Sequence, residues 1–234
     1  MLPYQLNIWK GEVRIMPSLD LQLFREYILK FLHPLPLISS VALVAMAVIL
    51  ILISRKTVLN TRLLAIGSLC VAMSFILSYV RVLRMAEAGS VTIASMLPLF
   101  VFAHIAGPRA GIMAGLCLGL LQALQDLFVV HWTQFLLDYP IAFALLGLAG
   151  LFGKNLFLGA AIGGLGRFVC HFLSGVVFFG EYAGNQNVFV YSFIYNMTYM
   201  LPEILICLGI LLIPGVRSAI NHLRHNYSAI YAKA

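Results

Sequence analysis

The chain is 234 residues long, 62% hydrophobic and only 10% charged, with a formal net charge of +7 and a mean hydropathy of +0.99. A soluble globular domain carries charge on roughly a quarter of its residues, so this composition excludes one and makes the bilayer the solvent. The bases stand at the ends of apolar runs rather than in a stripe interleaved with exposed aromatics, which excludes a nucleic-acid partner.

The first 30 residues mix charges of both signs and lack the basic start, apolar core and small-residue cleavage site of a signal peptide. Between Leu19 and Leu32, the residues Leu19, Leu23, Tyr27 and Leu29 alternate with Arg25, Glu26 and Lys30, the pattern of an interfacial amphipathic helix. Runs long enough to cross a bilayer then predict spans near Leu35 to Ser54, Leu63 to Leu83, Ser90 to Ile105, Ala110 to Val130, Phe135 to Phe152, Leu156 to Phe179 and Val188 to Ile213. Arg55, Lys56, Arg62, Arg109, Lys154, Arg217, Arg224 and Lys233 fall on one side of these spans, which the positive-inside rule assigns to the cytoplasm. Glu87, His131 and Glu181 fall outside, with Arg81 and Arg84 standing against the trend.

Small residues recur every four positions: Gly111, Gly115 and Gly119 in one span, Gly159 and Gly163 in another, Ser68 and Ala72 in a third. Such spacing lets another backbone approach one helix face, either within the bundle or from a partner subunit. Cys70, Cys117, Cys170 and Cys207 lie singly in apolar runs and read as packing residues, so no metal site, disulfide or cofactor is expected.

Polar groups inside a span are costly and mark function by default. Arg167, His171 and Gly175 share one helix face with Ser174 beside it, and Tyr191, Tyr195 and Tyr199 form a stripe with Asn196 alongside and Glu203 one turn further. Asp138 and Tyr139 precede Pro140 at the outer start of a span. Together these groups describe a pocket for a flat, polar, cationic ligand, with aromatic faces for the ring and hydrogen-bonding groups for its edge. Other readings stand beside it: Arg167 pairs with Asp126 or Glu203, the tyrosines form an interfacial belt, and Gly175 serves packing. His131 and Trp132 read as a lid or an interfacial anchor, His104 as structural, and His222 with His225 as a solvated face.

The strings GSVTIASMLPLF (Gly89 to Phe100), LLDYPIAF (Leu136 to Phe143), GRFVCHFLSGVVFFGEYA (Gly166 to Ala183) and VYSFIYNMTYMLPE (Val190 to Glu203) resemble the ThiT family, the thiamine-specific S components of energy-coupling factor (ECF) transporters. The resemblance implies an all-α, polytopic membrane helix bundle in the bacterial plasma membrane: a six-helix S-component core preceded by one extra hydrophobic segment. It divides the chain into a polar and amphipathic segment (1–34), the extra segment with its cytoplasmic connection (35–60), the substrate-binding membrane domain (61–216) and a basic cytoplasmic tail (217–234). It further implies high-affinity capture of thiamine from outside and release driven by an ECF module of one scaffold subunit and two ATPases.

By the same resemblance the ligand contacts are Asp138, Tyr139, His171, Gly175, Phe179, Tyr191 and Asn196. Asp138 would pair with the aminopyrimidine or the thiazolium charge, and Asn196 would hydrogen-bond the pyrimidine edge. Tyr139, His171 and Tyr191 would stack or bond. Asp138 stands where some relatives have Glu, and Phe179 where some have Trp. Ser68 and Ala72 would dock the scaffold subunit.

ATP coupling by the chain itself is excluded, because Leu148 and Asn155 occupy the glycine and hydroxyl positions of a phosphate-binding loop around Gly153 and Lys154. Two other functions fit less well: an S component for another heteroaromatic vitamin or a thiamine precursor, and an intramembrane enzyme. For the enzyme, Ser174 and His171 are neighbours but lack a glycine-framed elbow.

Overall fold

The computed structural model describes residues 61–85 and 89–231, with isolated helical positions between 41 and 52. The amphipathic segment from Leu19 to Leu32 lies outside the described residues, as does the span from Leu35 to Ser54 apart from those positions. Helix α1 (Thr61–Ser78) leads into a hairpin of β1 (Arg81–Arg84) and β2 (Ser90–Thr92), followed by α2 (Leu97–Ala106), α3 (Pro108–Gln125), α4 (Trp132–Leu151), α5 (Leu156–Phe178), α6 (Val188–Leu212) and α7 (Pro214–Tyr231). Helices α1, α4, α5 and α6 are each long and apolar enough to cross a membrane. Backbone in hydrocarbon must bond to itself, which is why this apolar chain forms a helical bundle.

The predicted spans Leu63 to Leu83 and Ser90 to Ile105 need correction. Helix α1 stops at Ser78, and Arg81 to Arg84 pairs antiparallel with Ser90 to Thr92. Val80, Val82, Val91, Thr92 and Ile93 supply the β-branched residues that favour an extended chain. The descending α2 therefore has 10 residues, about 15 Å, half of what a bilayer requires. The rest of the descent is non-helical backbone facing a cavity, the one setting in which irregular chain is tolerated at membrane depth.

Helix α4 is the most enclosed of the four spans, 67% buried against 28–33% for the other three, and it is not regular. Leu137–Ile141 is a π-helical turn containing Pro140, and Leu146–Leu151 tightens to 3-10 geometry. Pro140 brings no N–H to the ladder, and the widened turn carries Asp138 and Tyr139. Helix α3 packs on α4 through its small-residue face: a β-carbon at Gly115 would stand 2.3 Å from the Phe143 carbonyl oxygen, and one at Gly119 2.5 Å from that of Tyr139. Gly159 meets Ala149 and Gly163 meets Leu146 in the same way. Both glycine series thus serve packing inside the bundle, whereas Ser68 and Ala72 are exposed on the outer face of α1.

Arg217 and Arg224 belong to α7, whose Ile220 is buried against the bundle with Val216 and Tyr227 beside it. Arg62, Arg109, Lys154, Arg217 and Arg224 gather at the end opposite the hairpin. Gly115→Val is expected to lower stability by about 1–3 kcal/mol through overpacking, seen as a reduced thermal midpoint in detergent. Gly209, whose added β-carbon meets nothing within 4 Å, is the control, and Gly209→Ala should leave the midpoint in place.

Candidate functional site

A cavity of about 130 Å³ opens between the hairpin and helices α3 to α6. All seven residues singled out as ligand contacts line it: Asp138 and Tyr139 from the π turn of α4, His171 and Gly175 from α5, Phe179 at its end, and Tyr191 and Asn196 from α6. The widened turn of α4 and the tight α5–α6 contact bring these elements together. A β-carbon on Gly175 would lie 2.2 Å from Ser192 Oγ and 3.3 Å from Asn196 Nδ2, so glycine is required there for packing as well as for room.

Asp138 has its two oxygens in different settings. Oδ2 accepts from Gln134 Nε2 at 2.6 Å and from Ser174 Oγ at 2.8 Å. Oδ1 lies 3.2 Å from His171 Nδ1 but out of hydrogen-bond alignment, and has no aligned donor. His171 Nε2 accepts a long bond of 3.4 Å from Arg167 Nε, which leaves Nδ1 turned toward the carboxylate. Ser174 gives its hydroxyl proton to Asp138 rather than to His171, which leaves no serine–histidine pair.

The other two carboxylates that line the cavity, Asp126 and Glu203, are matched. Glu203 is 1% exposed; its Oε1 accepts from Thr92 Oγ1 and, at 2.6 Å, from Ser95 Oγ, while Oε2 lies 4.0 Å from Arg167 Nη1. The Arg167 guanidinium also sits 4.2 Å from the Phe143 ring centroid, a cation–π contact. Of the two partners open to Arg167, the fold selects Glu203. Asp126 instead binds Arg81 at 2.6 Å and Arg84 at 3.3 Å, which accounts for two bases at the outer end of the bundle. Arg167 and Glu203 are thus one unit and Asp126 with its arginines another. Asp138 has Gln134 and Ser174 on one oxygen and the His171 imidazole 3.2 Å from the other, with no arginine or lysine paired to it among the described residues.

The aromatic rings around the cavity fall into two groups. Phe128 stacks on Phe179 with centroids 5.9 Å apart, Tyr191 stacks on Tyr195 at 6.0 Å, and His171 meets Tyr199 edge-on at 6.1 Å. Two expected ligand groups also have structural work. The Tyr139 hydroxyl donates to the Asp126 carbonyl at 2.6 Å and accepts from Phe128 N–H at 2.9 Å, leaving its ring face to the cavity. Asn196 Nδ2 donates to the Ser192 carbonyl at 2.8 Å, and its Oδ1 accepts from Tyr199 at 2.7 Å. His131 caps α4 by accepting from Thr133 N–H at 3.1 Å, and burial holds its imidazole below the usual range.

Gln134, Phe128, Phe143, Arg167 and Glu203 also line the cavity and were not among the expected contacts. Arg167 and Glu203 carried a signal as intramembrane charges. Gln134 carried only its place one turn before Asp138, and the two phenylalanines had none. Removing one member of a buried ion pair strands the other, at about 3–5 kcal/mol. Glu203→Leu is therefore expected to lower the unfolding midpoint sharply, and Glu203→Leu with Arg167→Met to recover part of the loss in the same thermal assay.

The family model described as thiamine transporter protein (Thia_YuaJ) matches residues 64–222. A thiamine transporter ThiT from Bacillus subtilis (strain 168) is 39% identical over 143 residues, 53% of this chain and 74% of the relative. A second ThiT, from Lacticaseibacillus paracasei (strain ATCC 334), is 35% identical over 122 residues, 43% of this chain and 61% of the relative. The solved structure of ThiT from Listeria monocytogenes matches with a TM-score of 0.63 at 24% identity, over 70% of this chain and 99% of that one, and so shares the fold. With the family match running from α1 into α7, the chain belongs to the thiamine transporter protein family and is a multi-pass protein of the bacterial plasma membrane with a transport rather than an enzymatic role.

Proposed function

We propose that this chain captures thiamine from the extracytoplasmic side, and that Asp138 provides the counter-charge for the thiazolium. The observation that carries this reading is the charge balance of the cavity: Arg167 answers Glu203, Arg81 and Arg84 answer Asp126, and Asp138 has Gln134, Ser174 and the His171 imidazole beside it but no arginine or lysine paired to it among the described residues. A carboxylate withdrawn from water costs several kcal/mol unless a partner repays it. A cationic ring enclosed by Phe128, Phe179, Tyr191 and His171 is that partner, held by aromatic faces as well as by charge. The relatives named thiamine transporters support thiamine over other flat cations.

Capture requires a second component for uptake, since the chain has no phosphate-binding loop. We assign that role to an ECF module of a membrane scaffold subunit and two ATPases, docked at the small, exposed patch of Ser68 and Ala72 on α1. Close approach of helices at small residues is the usual way membrane subunits pack. The cavity lies toward the hairpin end and the bases gather at the other, which supports a site open to the outside and a cytoplasmic face for the module's ATPases.

Losing one partner of a desolvated charge pair costs about 2–5 kcal/mol. Asp138→Asn is therefore expected to weaken thiamine about a hundredfold or more, as read by quenching of intrinsic fluorescence in the purified chain. Binding of the neutral hydroxymethyl pyrimidine should fall far less, and riboflavin should not bind; equal losses for both ligands would assign the pocket to a neutral pyrimidine. Ser68→Leu with Ala72→Leu should abolish ATP-driven thiamine uptake in vesicles holding the full transporter while leaving thiamine binding to the isolated chain intact. Unchanged uptake would move the docking surface elsewhere.

A further inference from the structure

Gln134 lies one turn before Asp138 on α4 and is 2% exposed. Its side-chain amide is fully engaged: Oε1 accepts from Val130 N–H at 3.2 Å, and Nε2 donates to the Phe128 carbonyl at 3.1 Å and to Asp138 Oδ2 at 2.6 Å. An amide has two N–H donors, and both are used. Its orientation is determined by its surroundings, because a flipped amide would set oxygen against the Phe128 carbonyl and the Asp138 carboxylate, and nitrogen against the Val130 N–H. One buried side chain therefore ties the carboxylate to the loop that carries Phe128.

We infer that Gln134 is a specificity-determining positioning residue, which with Ser174 holds Asp138 Oδ2 and so fixes the carboxylate in the cavity wall for the ligand's positive charge. Aspartate has a short side chain with two rotatable bonds, and the π turn alone sets only its starting point. With Gln134 and Ser174 both on Oδ2, the second oxygen is turned toward His171 Nδ1, 3.2 Å away, without an aligned donor. The same amide holds Phe128 against Phe179, so the charge and the ring wall are placed by one group. Cation preference then depends on Gln134, which need not touch the ligand itself. This inference rests on the thiamine reading above.

The test compares thiamine with the neutral hydroxymethyl pyrimidine in the purified full-length chain. Hydrogen bonds to a charged group contribute enough to predict that Gln134→Met, close in shape but without donors, weakens thiamine about tenfold or more. The pyrimidine should change by less than about threefold. Ser174→Ala removes the other donor without touching the loop and should shift the same ratio in the same direction. In an Asp138→Asn background, Gln134→Met should lose its cation-selective effect. Equal loss of both ligands in Gln134→Met and no shift in Ser174→Ala would reduce Gln134 to a loop anchor and overturn the inference. Failure of the unaltered chain to bind thiamine would instead overturn the functional reading, which keeps the two outcomes apart.

Discussion

A single carboxylate held inside a membrane bundle with donors aligned on only one of its oxygens is the constraint on which the rest of the site depends. Hydrocarbon and packed side chains do not solvate charge, so every buried ionised group must find donors or a counter-ion. Glu203 finds both, with two hydroxyls and Arg167 around it, and Asp126 finds two arginines. Asp138 finds donors for one oxygen only. On the proposed reading, the bundle stabilises the carboxylate enough to fold and a cationic ligand supplies the rest of its compensation.

The irregular parts of the fold follow from that requirement. A regular α4 would have no widened turn at Asp138 and Tyr139; the π turn around Pro140 supplies it, as such turns often do at functional sites. A full-length α2 would fill the space beneath the hairpin, whereas the ten-residue helix leaves Thr92 and Ser95 free to reach Glu203. Gly175 removes the side chain that would otherwise collide with Ser192, letting α5 and α6 converge behind the ring site. The regular elements lie around these exceptions and carry apolar side chains outward.

Much of this was legible in the residues. Composition identified the solvent, small-residue spacing located the packing faces of α3 and α5, and the four quoted strings brought seven separated residues into one cavity. What was hidden had physical causes. Hydropathy does not distinguish an apolar β-hairpin from the end of a helix, so Arg81 to Leu83 and Ser90 to Thr92 read as the ends of two spans. A proline within an apolar run does not by itself announce a π turn. Glutamine in an outer turn looks like a solvated residue until the fold buries it, which is why Gln134 escaped notice while Asp138 did not. The sequence offers Arg167 two acids, and only the three-dimensional path of β2 and α6 brings Glu203 to it and keeps Asp126 with Arg81.

The same layout gives a physical account of division of labour. The cavity, its charge and its aromatic wall belong to this chain. On the proposed reading they capture a cation without a nucleotide, and a partner docked at the exposed small patch on α1 supplies the work that empties the cavity into the cytoplasm. Capture and energy coupling are therefore separable in measurement.

The most direct test of the central claim is a structure of the chain with thiamine bound, read for the distance between the thiazolium ring and Asp138 Oδ1. The account predicts that ring within about 4–6 Å of the carboxylate, the range over which opposite charges stabilise each other strongly, and between aromatic faces. A thiazolium placed away from Asp138, with the carboxylate still facing only Gln134, Ser174 and His171, would contradict it.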